Sequence, residues 1–304
     1  YTQIMGVNAV LDGVDDVEGS VEEKEVVKAQ ALGLRAYYYF MLVNLYGEPY
    51  NYNKKALGVP LKLTSALLEN GITRNTVEEV YTRIVMDLEQ ASALFGKYSK
   101  RRGDFRINGT ATDILLSRVY LYMEEWDRAI EAANRAIKRA EGLTDYTTVE
   151  AGNQFYMTTY ELSEVEWLFD MSITNFPFVP SGDLLSKYTN GDKRETLWFN
   201  ANGSISKRAQ KSGWGPNRTI RISEAYLNRA EALVLSQNAN IGEALADLNE
   251  LRRHRIVGYQ DISISDATIL LGEIRVERRL ELCFDGHRWF DLRRYAVSPK
   301  YPET

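Results

Sequence analysis

The chain has 304 residues, 44% hydrophobic and 26% charged, a globular balance that excludes low-complexity disorder and a collagen-like repeat. Its formal net charge of -5, from 37 Lys+Arg against 42 Asp+Glu, argues against a general polyanion binder of the histone kind. One cysteine (Cys283) excludes an intrachain disulfide framework, two histidines leave few metal options, and no apolar run reaches the roughly 18 residues of a membrane-spanning helix.

Ile4, Val7, Asn8 and Leu11 have helical spacing at the very start, with no signal-peptide pattern, as though the chain were cut from a longer precursor. Val27, Ala31, Leu34, Tyr38, Met41 and Leu45 then form an apolar stripe that predicts a helix up to Gly47 and Pro49. In the segment Glu48 to Asn53 that follows, an extended backbone would put Tyr50 and Tyr52 on one side. Thr76 with Glu79 three residues on is a capping box, and Val77, Val80, Tyr81, Ile84, Leu88 and Ala91 give that helix its buried face. A third helix (Ala111 to Tyr122) turns after Glu124-Glu125 into a fourth (Trp126 to Ile137), so the two must lie antiparallel.

That pair recurs. Trp126, Ala129, Ile130, Ala133 and Ala136 align with Ile241, Ala244, Leu245, Leu248 and Leu251 at a constant offset of 115 residues, and Asn240 with Glu243 caps the second copy. A large residue followed by small alanines resembles the tetratricopeptide pattern, in which each alanine admits a neighbouring helix. With the helices at 27–46 and 77–95, and the helix at 267–284 with its short successor, the expectation is an all-α scaffold of about four helix pairs. Between 142 and 221 the helical period fades into a loop-rich excursion that holds three of the five tryptophans, Trp167, Trp198 and Trp214.

Most of these rings should pack in a satellite core under the loops. Trp214, framed by Gly213, Gly215 and Pro216, is the leading candidate for an exposed ligand-binding ring, followed by Tyr50 and Tyr52, then by Tyr156 and Tyr160. In the C-terminal run, nine Arg/Lys and eight Asp/Glu between 250 and 295 nearly cancel. Glu277 and Glu281 lie four apart on one helix face and repel, so the expectation is a structural ion-pair clamp to Arg288 or Arg293, with Trp289 and Phe290 packed beneath. Cys283 and His287 have helical ligand spacing, but the thiol sits on an apolar face and a packed cysteine is the simpler reading. No phosphate loop, nucleophile elbow or zinc-protease motif is present, and no metal or cofactor is expected. Two further classes stay open: a glycosidase, with Glu161, Glu164 and Glu166 as first suspects, and a helical-repeat adaptor that grips a peptide.

Three stretches together resemble the SusD/RagB family of nutrient-binding outer-membrane lipoproteins of the Bacteroidota. They are Ala29 to Phe40 continuing to Leu45-Tyr46-Gly47-Glu48-Pro49, Ile222 to Ala232 followed by Ala244, Asn249 and Arg252, and the most specific, Ile274 to Arg294. The last matches the family's ERRxELxFEGxRWxDLRR ending, with Asp285 for Glu and Cys283 for a small residue as mild departures. The resemblance implies a single SusD-like domain over 1–304, with N-terminal repeats over 1–141, the aromatic excursion over 142–221 and C-terminal repeats over 222–304. It also implies a non-catalytic role: capture of an oligosaccharide or peptide at the cell surface and delivery to a SusC-like TonB-dependent transporter. A lipid anchor is expected on an N-terminal segment that the sequence lacks, and no nucleic acid is expected as partner.

Overall fold

A computed structural model describes residues 1–67, 71–98, 106–149, 165–170, 179–200, 203, 205, 207 and 218–301. Helix α1 (Thr2–Gly13) leads to α2 (Val21–Tyr46), which starts six residues ahead of its apolar stripe. The start is set by a capping box, in which Ser20 Oγ accepts from the Glu23 amide and the Glu23 carboxylate accepts from the Ser20 amide. Gly47 ends the helix where a Cβ would stand 2.8 Å from the Val43 carbonyl. Next come α3 (Tyr50–Asn53), a single turn, and α4 (Val77–Gly96), which opens on the Thr76–Glu79 capping box. Between α5 (Gly109–Met123) and α6 (Trp126–Arg139), Glu124 takes the left-handed conformation (φ 60°) and reverses the chain within two residues.

The excursion contributes β1 (Val165–Asp170), α7 (Gly182–Leu185), α8 (Lys193–Trp198) and β2 (Arg218–Arg221). The two strands are antiparallel, with Trp167 opposite Ile220, so the excursion leaves and rejoins the helices through one ladder. Four helices follow: α9 (Ile222–Leu235), α10 (Ile241–Arg253), α11 (Ala267–Glu281) and α12 (Arg288–Val297).

The architecture is an all-α repeat scaffold. Helix α2 packs on α4, α5 on α6 and α9 on α10, while α4 touches α5 and α6 touches α9, so that successive pairs stack. Helix α9 is the hub, in contact with α5, α6, α10 and α11. Its neighbours approach closely because Ala129, Ala132, Ala133 and Ala136 of α6 and Ala244 of α10 are fully buried. The fourth pair differs in form. Arg278 of α11 is tied to Asp291 of α12 at 2.9 Å, yet α12 also crosses to the first pair, where Arg293 donates to the carbonyls of Asn44 and Gly47.

One core runs along α2, α4, α5, α6 and α9. A second, made of Tyr146, Leu184, Tyr188, Trp198 and Phe199 with Leu280 and Cys283, lies under the excursion, which is the packing expected of most of its described rings. Trp167 is buried too, edge-on to Tyr37 at 5.2 Å. No helix among the described residues is long and apolar enough to cross a membrane.

The alanine contacts give a direct test. Ala133→Leu adds three carbons at a fully buried site and should destabilise the fold by about 1–3 kcal/mol, read as a lowered urea midpoint, whereas the exposed Glu131→Leu should leave it within about 0.5 kcal/mol.

Candidate functional site

The excursion is attached to the helices by buried charge. Glu281, at the end of α11 with no exposed surface, accepts from three arginines: Arg255 at 3.0 Å on each oxygen, Arg221 at 2.7 Å and Arg194 at 3.0 Å. Burial by itself would push this carboxyl up, but the guanidiniums of Arg255, Arg221 and Arg194 outweigh it and hold the group well below the usual carboxylate range. Glu277, one turn earlier, accepts from Arg194 at 2.6 Å and Arg252 at 2.7 Å. Arg194 is in turn oriented by Asp192, which accepts from its Nε at 3.0 Å and from its second terminal nitrogen at 2.7 Å.

The sequence-based clamp therefore needs correcting in its partners. Glu277 and Glu281 are clamped, but Arg288 is exposed and Arg293 is engaged with the end of α2. Phe284 (φ 63°) and Gly286 (φ 84°) turn the chain so that α12 leaves α11 towards the first helix pair, out of line with the two glutamates. The cations come from the excursion (Arg194, Arg221) and from the end of α10 (Arg252, Arg255). Only the unusual density of charge in an apolar neighbourhood could have hinted at them. Phe290 is buried as expected, whereas Trp289 is 65% exposed.

Lys207 fixes a second root of the excursion. Its ammonium donates to the Cys283 carbonyl at 2.7 Å and to Asp285 Oδ2 at 2.8 Å, and lies 4.2 Å from the centre of the Trp198 ring. Arg221 reaches the same Asp285 oxygen at 2.9 Å. Lys207 is thus a buried staple.

Of the candidate ligand rings, Trp214, Tyr156 and Tyr160 lie outside the described residues, as do Glu161 and Glu164. Tyr50 and Tyr52 sit on the helical turn α3, not on an extended segment, so the two rings diverge. Pro49 serves as its N-cap, and the turn bonds the Tyr52 and Asn53 amides back to the Pro49 carbonyl. Tyr50 is half-buried with its ring 4.9 Å from that of Tyr81, while Tyr52 is 64% exposed. Glu166 is buried and accepts from Asn108 at 3.1 Å, a structural carboxylate at the β1 edge. Cys283 is buried with Sγ 3.5 Å from Tyr188 Oη, and burial pushes its thiol up.

Both ends of the chain match family models. Residues 1–121 match one described as "Starch-binding associating with outer membrane", and residues 179–303 match that of the SusD family. The chain belongs to the SusD/RagB family. A curated relative, SusD-like protein P2 of Formosa agariphila, is 22% identical over 98% of this chain and 70% of its own length. Among solved structures, a SusD-like carbohydrate binding protein from Bacteroides vulgatus superposes with a TM-score of 0.79 at 23% identity, covering 96% of this chain and 67% of that one. A SusD superfamily protein from Bacteroides thetaiotaomicron gives 0.75 at 26% identity, with 95% and 72% covered.

The family's signature residues are thereby given physical roles in this SusD-family chain. Arg35 makes a two-pronged bond to Asp87 at 2.7 and 2.8 Å, Arg118 to Glu224 at 2.5 and 2.6 Å, and Arg294 to Glu231 at 2.5 and 3.0 Å, all buried. They join helices; they do not face a ligand.

Two outcomes follow for stability. Arg194→Ala leaves the buried Asp192 without its cation and takes one from Glu277 and one from Glu281, and should cost about 3–5 kcal/mol, while Arg288→Ala should leave the melting temperature unchanged; equal losses would contradict the reassigned clamp. His287 is buried, and burial, then Arg118, Arg278, Arg221 and Lys207, hold its pKa well below 6.5. The unfolded chain therefore takes up a proton that the folded one refuses. The stability this histidine contributes is complete above the ordinary imidazole range and is lost progressively as pH descends through it. Chemical denaturation across that range should show the slope in the parent and a flatter one in His287→Gln.

Proposed function

We propose that the protein is a non-catalytic binder of an oligosaccharide, or in second place a peptide, at the bacterial cell surface, and that it hands its ligand to a SusC-like TonB-dependent transporter. The observation that carries this reading is the match of both ends of the chain to models of one family, the first described as starch-binding and associated with the outer membrane. The build of the molecule supports it. An aromatic-rich excursion is rooted in a rigid helical frame by buried ion pairs, and loops held on such a frame are where binding usually sits. The protein is placed at the outer face of the outer membrane, held in its precursor form by a lipid anchor.

Ligand contact is assigned to Trp214 first, then to Tyr156, Tyr160 and Tyr52, because sugar rings stack on flat aromatic faces and take their orientation from a few polar neighbours. Tyr50, packed on Tyr81, gives that assignment up. Isothermal titration with starch and laminarin oligosaccharides should show binding that Trp214→Ala weakens about tenfold or more, roughly the 1.4 kcal/mol of one lost stacking contact, with the melting temperature unchanged. Equal affinity in the variant removes Trp214 from the site, and release of new reducing ends during the titration refutes the non-catalytic reading. For delivery, a TonB-dependent transporter encoded beside this gene should co-purify with the protein from detergent extracts.

A further inference from the structure

The corner between α11 and α12 carries a feature that the loop-borne site does not use. Trp289 is 65% exposed in the first turn of α12, and the helix cannot rotate to hide it. Its neighbour Phe290 is in the core, Asp291 is bonded to Arg278 and Arg294, and Arg294 is bonded to Glu231. These contacts fix which side of α12 faces inward, and they leave Arg288, Trp289 and Leu292 outward. An indole held in water forgoes a large burial gain.

Arg288, beside it, differs from the other arginines of the same motif. Arg278 and Arg294 bond to carboxylates, Arg293 to two carbonyls, and Arg279 to Asp183 at 2.6 Å. Among the described residues no carboxylate lies within ion-pair distance of Arg288. Partial burial, then the Arg279 guanidinium, lowers its pKa from the ordinary arginine value; Arg275 acts in the same direction, and Tyr295 and Asp291 act against it. Arg275 is turned over the Tyr295 ring, 4.6 Å from its centre. This corner therefore exposes a cation with no carboxylate partner among the described residues and, on the following residue, a flat apolar ring.

We propose that Arg288 and Trp289 form a glycan subsite on α12 that takes an acidic sugar: the indole covers a ring face and the guanidinium fork meets a uronate carboxylate. The planar fork matches a carboxylate with two parallel bonds, which an ammonium could not do, and the indole gives the ring face a platform that a bare anion would not need. This inference rests on the glycan-binding reading above and narrows the class of glycan.

The test titrates the protein with oligogalacturonate, with a sulfated galactan oligosaccharide and with neutral laminarin oligosaccharide. Oligogalacturonate should bind, and more weakly as salt is raised. Arg288→Ala and Trp289→Ala should each weaken it by about ten- to a hundredfold, Arg288→Lys should restore only part of the loss, and neither alanine variant should alter the neutral glycan or the melting temperature. Trp214→Ala should show the reverse pattern. The subsite is refuted if Arg288→Ala holds oligogalacturonate as tightly as the parent, or if only the neutral glycan binds; binding of the sulfated glycan without the uronate overturns the carboxylate assignment. If none of the three binds, the glycan-binding reading itself falls.

Discussion

A carboxylate stripped of water must have its cations in place, and at Glu281 that requirement organises the molecule. Moving one such ion from water into a protein interior costs several kcal/mol unless partners and hydrogen bonds replace the solvent. Three arginines do so here, and they come from three separate parts of the chain: Arg194 from within the excursion, Arg221 from the strand by which it returns, and Arg255 from beyond α10. Any that withdraws takes a cation from a buried carboxylate. An otherwise irregular stretch is therefore tied at fixed points to the end of α11, with Lys207 adding a further tie two residues past that helix.

The same device recurs at the joints of the frame. Arg35–Asp87 joins α2 to α4, Arg118–Glu224 joins α5 to α9, Arg229–Asp247 joins α9 to α10, and Arg294–Glu231 joins α12 to α9. Apolar packing tells helices to touch but not in which register, because one leucine ridge resembles the next. A two-pronged guanidinium bond is satisfied in one register only. The buried alanines of α6 let its neighbouring helices approach closely. Alanine spacing and ion pairs thus act together, the first setting distance and the second setting alignment.

Much of the conspicuous charge among the described residues is used within the frame. The charged groups that attract notice in the sequence are consumed by structure: Glu277, Glu281 and Glu166 are buried with partners, and His287 is enclosed by cations that keep it neutral. Among the side chains the frame leaves outside are two flat rings, Tyr52 on α3 and Trp289 on α12.

By itself the sequence determined the long helices, the recurrence of one helix pair and the family. Helical periodicity and the Thr76–Glu79 box are local, and the 115-residue repeat from Trp126 to Ile241 needs only a comparison of the chain with itself. That Glu277 and Glu281 need a clamp was also legible, since like charges one turn apart must find cations. Which arginines supply it was decided only by the tertiary structure, because a cation 87 residues away, Arg194 against Glu281, competes on equal terms with a near one once the chain has folded. Two positive-φ residues after α11 sent Arg288 and Arg293 elsewhere. The same holds for the rings: alternation in sequence put Tyr50 and Tyr52 on one side, but Pro49 started a helical turn there and the core at Tyr81 took one of them. Local order follows from neighbours along the chain, whereas exposure follows from what the rest of the chain happens to cover.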